Sequence, residues 1–131
     1  MIGNTPKPPR NEARHALRRA AAACALLIAQ AAGAHAQLKQ SVPAANAELD
    51  RPPTQVTLHF NEALEQKFSS IQLEDAGGHD AAGQGAVVDP DDASTIRLSL
   101  PVLGKGRYRV RWAAMSRDGH RTKGDFSFLV K

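Results

Sequence analysis

Cysteine is almost missing from this chain of 131 residues: the single one, Cys24, lies within the first 34. Once that stretch is removed, disulfides, thiolate metal sites, cysteine nucleophiles and redox exchange are excluded, and the rest must hold together by its core alone. Aromatic residues make up only 5% of the chain, with one tryptophan, so there is no aromatic platform for a sugar polymer. Methionine is limited to Met1 and Met115. No long apolar run occurs. The longest, Ala20 to Ala29, falls well short of the roughly 20 residues needed to cross a bilayer, which argues against a permanent anchor. A surplus of acid or base is also missing beyond residue 34, where twelve basic and twelve acidic residues balance. The net charge of +4 belongs to the N-terminal stretch and is no sign of a nucleic-acid partner. The length suits one domain, and 42% hydrophobic with 23% charged residues excludes both a disordered tail and a multi-span membrane protein.

What is present at the N-terminus reads as a targeting signal. Lys7, Arg10, Arg14, Arg18 and Arg19 precede the apolar run, and small residues follow it. A basic region, a short apolar core and a small-x-small cleavage motif make a secretory signal peptide over residues 1–34, with a mature domain over 35–131. The same arginine pair permits twin-arginine export only weakly, and Cys24 is poorly placed for lipidation. Ala32-Gly33-Ala34 puts the cut before His35, whereas Ala34-His35-Ala36 puts it before Gln37 and discards the histidine. Both satisfy the small-residue rule. Export places the domain in the periplasm.

From Leu38 onward the pattern is that of short strands and turns. Gln55 to Phe60 alternates, with Val56, Leu58 and Phe60 on one face and Thr57 and His59 on the other. Ser70–Glu74, Ala86–Val88, Thr95–Leu100, Arg107–Trp112 and Asp125–Val130 follow, separated by Gly, Pro and Asp clusters, and Leu38–Val42 forms an edge strand. About seven strands at regular spacing, with no convincing helix, predict an all-β fold, a single sandwich or barrel. Leu58, Phe60, Phe68, Ile71, Leu73, Leu98, Tyr108, Val110, Trp112, Phe126 and Phe128 are expected to supply its core.

Four histidines lie beyond residue 34: His35, His59, His79 and His120. Asp118-Gly119-His120 is read most simply as a turn. Were it extended, however, Asp118 and His120 would project to one side and share a borderline cation such as Cu(II), Zn(II) or Ni(II). His35 adds weight if it becomes the N-terminal residue. Its α-amine and ring Nδ1 then chelate one metal, the amine proton being displaced near neutral pH. Three nitrogens and one oxygen make a tetragonal set of the kind Cu(II) favours. His79 reads as a solvated loop residue, and His59 faces away from the core stripe. Asp89, Asp91 and Asp92 lack EF-hand spacing and read as a polar turn. Arg107, Arg109 and Arg111 read as a solvated strand face; the sharper alternative joins them with Arg117, Arg121 and Lys123 in a basic rim that docks an acidic partner.

His35-Ala36-Gln37-Leu38, Ser41-Val42-Pro43-Ala44, Leu58-His59-Phe60-Asn61-Glu62-Ala63-Leu64, Gly106 to Trp112, Ser116 to His120 and Gly124 to Phe128 resemble, in order and spacing, the CopC family of periplasmic copper-resistance proteins. The resemblance runs along nearly the whole domain. It implies a Greek-key β-sandwich or barrel, immunoglobulin-like or cupredoxin-like, that binds one Cu(II) through His35, Asp118 and His120. Glu62 falls on the family's acidic position as a weak ligand or a partner of a ligating imidazole. Family members with a Met-rich loop bind Cu(I) as well; here the corresponding loop, Gly77 to Ala82, holds a histidine and no methionine. A Cu(II) site alone is therefore expected. The function so implied is a non-enzymatic copper carrier or buffer in copper homeostasis and resistance, with an inner-membrane copper transporter of the CopD kind as a partner. Two alternatives stand beside it: a histidine-brace copper oxidase or monooxygenase, and a metal-free envelope sandwich if His35 is lost in processing.

Overall fold

In a computed structural model, residues 3–4 and 35–131 are described. The expected signal peptide therefore falls almost wholly outside the described residues, and the unit His35–Lys131 is treated by itself. Among the described residues eight strands form: β1 (Leu38–Val42), β2 (Glu48–Leu49), β3 (Gln55–Phe60), β4 (Ser70–Glu74), β5 (Val87–Val88), β6 (Thr95–Ser99), β7 (Gly106–Met115) and β8 (Arg121–Val130). They make two four-stranded sheets, β1-β3-β6-β5 and β2-β8-β7-β4, so the all-β sandwich read from the alternation is what the chain adopts. The chain crosses between sheets after β1, β2, β3, β4 and β6, which brings distant segments side by side.

The inward positions are those the period of two selects. Val56, Leu58 and Phe60 face Ile71, Leu73, Val110 and Phe128 and are almost fully buried, because only one face of each strand leaves water. Tyr108 stacks on Phe128 with centroids 5.6 Å apart, and its hydroxyl donates to the Gly104 carbonyl at 2.9 Å, pinning the loop that enters β7. Trp112 is less buried than its phase predicts. Its indole packs edge-on against Phe60 at 5.2 Å and lies over Gly124, its cross-strand neighbour. A Cβ on Gly124 would stand 2.6 Å from the indole, so the bare backbone there makes room for the tryptophan.

Three further sequence expectations are corrected. Phe68 is not in the core: it is 52% exposed at the end of a 3₁₀ turn, Gln66–Phe68, where the strand period does not apply. Phe126 is only partly buried, at the flank of the cluster. β7 and β8 also run further than the apolar residues alone indicate, pairing from Gly106↔Val130 to Met115↔Arg121. Pairing in a hairpin continues wherever backbone groups face one another, whatever the outer side chains.

Candidate metal site

The long β7–β8 hairpin closes through Ser116–His120, and that closure builds half of the site. Gly119 takes φ 90°, a left-handed value that glycine adopts without strain, so the backbone reverses within the Asp-Gly pair. The Gly119 N–H donates to the Ser116 carbonyl at 2.9 Å and the Ser116 N–H to the His120 carbonyl at 3.0 Å. Asp118 and His120 are thus together in a tight turn rather than side by side on an extended strand. The turn expected of Asp-Gly is what forms, and it still brings the two side chains of the expected ligand pair together.

Within the turn the carboxylate is fully engaged. The buried Ser116 hydroxyl donates to Asp118 Oδ1, the His120 backbone N–H donates to the same oxygen at 3.2 Å, and Asp118 Oδ2 meets His120 Nδ1 at 2.9 Å. The Ser116 hydroxyl first, and then His120, hold the Asp118 carboxyl down to about 2. A carboxylate on one imidazole nitrogen fixes the ring and leaves Nε2 for another partner, the arrangement commonly seen behind metal-bound histidines.

His35 comes to this turn from the other end of the domain. Ala36 is 1% exposed and plugs the sandwich, its carbonyl accepting a hydrogen bond from Thr122 Oγ1 of β8 at 2.8 Å. The Gln37 N–H donates to Asn61 Oδ1 at 2.7 Å, and the Asn61 N–H donates back to the Gln37 carbonyl at 3.1 Å. Gripped on both sides, the arm sets the His35 ring edge-on against that of His120, with centroids 4.7 Å apart and planes at 86°. For metal–nitrogen distances near 2.0 Å, two imidazoles at right angles on one ion have centroids roughly 4.5 Å apart, so the spacing suits a shared cation. The rings meet edge to face, and among the described residues no three His, Cys, Asp or Glu side chains form a preformed cation cluster. In the unprocessed chain Ala34 precedes His35, so the His35 nitrogen is an amide; its amine exists only after cleavage. The donor set therefore fits a cation on two conditions: a chain that starts at His35, and a small turn of the rings.

The other sequence candidates sit elsewhere or contribute less. Glu62 is half-buried on the segment between Asn61, which grips Gln37, and Ala63, whose carbonyl accepts from the Arg117 N–H at 3.3 Å. It borders the site without joining a cation cluster. His59 faces outward as expected and meets Thr95 Oγ1 at 2.9 Å and Asp92 at 3.6 Å. Hydrogen bonds from Ser94 and Thr95 lower the Asp92 carboxyl to about 2. His79 is solvated, beside Asp75 at 3.3 Å. Thr122 and Asn61 were not singled out from sequence, although both lie in or beside the matched segments. Their role is visible only once the arm is placed.

The family model for the CopC domain matches residues 38–131. The chain belongs to the CopC family. Copper resistance protein C of Escherichia coli is 36% identical over 111 residues, covering 79% of this chain and 87% of that protein. The crystal structure of CopC from Methylosinus trichosporium OB3b superposes with a TM-score of 0.70 at 31% identity, over 74% of this chain and 94% of that one. PcoC, a methionine-rich copper resistance protein from Escherichia coli, superposes with a TM-score of 0.63 at 35% identity, over 75% of this chain and 100% of that one. The family is thus one of copper-handling proteins with a β-sandwich fold. Unlike a methionine-rich member, this CopC-family chain has two methionines in all. Among the described residues no helix is long and apolar enough to cross a membrane.

Proposed function

We propose that this CopC-family protein is a periplasmic Cu(II) carrier or buffer, acting in copper homeostasis and resistance without catalysing a reaction. It is exported by residues 1–34, cut before His35, and binds one Cu(II) through the His35 amine and ring, Asp118 and His120. The observation that carries this reading is the meeting of His35 with the Asp118–His120 pair, held by the Thr122 and Asn61 hydrogen bonds. Two imidazoles and an amine, with a carboxylate either ligating or orienting His120, suit Cu(II) better than a hard cation. Glu62 borders the site as an outer partner. Copper is the cargo here, and an inner-membrane transporter of the CopD kind is the partner to which it passes or from which it comes.

The enzyme alternative shares the paired histidines, but Trp112, the single tryptophan, is packed on Phe60 and offers no platform for a polymer substrate. The copper-loaded protein is expected to give no ascorbate-driven peroxide above free-copper controls. The primary test is intact mass of protein recovered from the periplasm, apo and after one equivalent of Cu(II). A chain beginning at His35 that keeps one copper, with retention lost in His120→Ala, is the expected result. A chain beginning at Gln37 that keeps none refutes the site.

A further inference from the structure

The basic rim considered from sequence divides into two groups once its side chains are placed. Arg109 is paired with Asp125 at 3.0 Å and Arg111 with Glu74 at 3.0 Å, so the middle of the β7 face is internally neutralised. Lys67, Arg117, Arg121 and Lys123 have no carboxylate partner among the described residues, and three of them flank the Ser116–His120 turn or its neighbouring 3₁₀ turn. Beside them stands Phe68, 52% exposed, with the Arg121 guanidinium 5.5 Å from its ring centre.

Phe68 is held outward by a braced segment. The Glu65 N–H donates to the Met115 carbonyl at 2.8 Å, and the Met115 N–H to Ser69 Oγ at 3.1 Å, tying both ends of the 3₁₀ turn to the end of β7. The Gln66 side chain clamps the other side, donating to the Ala86 carbonyl at 3.1 Å and accepting from the Val88 N–H at 2.6 Å. An exposed aromatic on a rigid support, capped by arginine, carries little ordering cost on association and is the residue combination that dominates protein interfaces. Arg121 directly follows His120, so a partner seated there lies at the edge of the candidate copper site.

We propose that Phe68, Lys67, Arg121 and Arg117 form a docking face for an acidic protein surface, the partner that exchanges metal at the adjoining His35–His120 site. The metal exchange rests on the copper-site reading; the docking does not. The face carries Lys67, Arg117 and Arg121, with Lys123 beside it, all without a carboxylate partner among the described residues. Of the nearby carboxylates Asp118 is engaged by Ser116 and His120, and Glu62 and Glu65 are half-buried, so the charge left to a partner is positive. A single apolar anchor suits a protein pocket better than a lipid surface, which rewards a broad apolar face.

The test uses the exported, metal-free protein and a glutamate-rich peptide carrying one central leucine, read by backbone amide shifts. Expected are shifts centred on Gln66–Ser69 and Arg117–Lys123 that fade as salt rises from about 0.02 to about 0.2 M, as exposed charge contacts do. Phe68→Ser and Lys67→Glu combined with Arg121→Gln should each weaken binding about tenfold, with chemical-shift dispersion reporting a retained fold. Arg107→Glu, at the far end of β7, should leave it unchanged. Equal weakening by Arg107→Glu, or no weakening by the patch variants, overturns the proposal. Binding of phosphatidylglycerol vesicles through the same residues, without the peptide, overturns it in favour of a membrane surface. Because the protein is metal-free, failure of the wild type to retain Cu(II) refutes the carrier reading and leaves the docking result standing.

Discussion

Thr122→Val isolates the tether that brings His35 to its partners. The two side chains have nearly the same shape, so the change removes one donor while leaving the packing of β8 almost intact. It leaves the Ala36 carbonyl, on a residue 1% exposed, without the hydrogen bond it has at 2.8 Å. A buried polar group stripped of its partner costs about 1–3 kcal/mol. The arm can relieve this by lifting away to reach water, since the Asn61–Gln37 pair and the β1–β3 ladder still anchor the chain from Gln37 onward. The cost then falls mainly on holding His35 in place, at the lower end of that range. With 1.4 kcal/mol equal to a factor of ten, Cu(II) binding should weaken about five- to tenfold. The assay is a Cu(II) competition titration against a chelator, paired with urea unfolding of the metal-free protein. Affinity reduced in that range with an unfolding midpoint little changed is the expected outcome. An unchanged affinity refutes the reasoning, whether the fold keeps its midpoint or loses it, because the Thr122 bond would then serve the sandwich and not the site.

Further outcomes follow from the same contacts. Gly124→Val places a branched side chain where a Cβ alone stands 2.6 Å from the Trp112 indole; it should lower unfolding stability by about 1–3 kcal/mol, and an unchanged urea midpoint would show that the indole does not occupy that space. Leu58→Ala, at a position with no exposure, should cost about 2–5 kcal/mol in the same measurement, and a loss under 1 kcal/mol would contradict its place in the core. The Asp118 carboxyl, lowered to about 2 by Ser116 and His120, should titrate near that value by carbon NMR in the metal-free protein. Its contribution to stability is complete above the unfolded value of about 3.9 and disappears as pH falls towards 2. Ser116→Ala should move the midpoint upward, and an ordinary midpoint in the wild type would contradict the hydrogen bonding described. Cu(I), titrated against a competing chelator, should not be retained one to one, since Met115 is the one thioether among the described residues; tight one-to-one retention would refute this.

Much of this protein can be read along the chain because the relevant forces are local. Alternation decides which side chain of Val56 to Phe60 is buried, whatever strand lies next to it, and Asp-Gly reverses the chain because glycine tolerates φ 90°. Phe68 was misplaced because it lies in a 3₁₀ turn, where the period of two gives no direction. β2 escaped notice because two residues carry no periodic signal; it forms by parallel pairing with β8, from the far end of the chain. Extended backbone would set Asp118 and His120 on one side, whereas hydrogen bonds to Ser116 and within the turn are what bring them together.

What the sequence determined by itself is the set of strands and faces, the turn, the absence of thiolate ligands after Cys24 and the inventory of donors, because each depends on residues a few positions apart. Only the tertiary structure decided which donors meet. His35 reaches His120 because the sandwich sets the start of its first strand beside the β7–β8 turn, with Thr122 and Asn61 closing the contact. It also decided which cations are free, since Arg109 and Arg111 find Asp125 and Glu74 across neighbouring strands. Proximity across a sandwich is a property of strand order, and strand order is settled by the packing of all the faces at once.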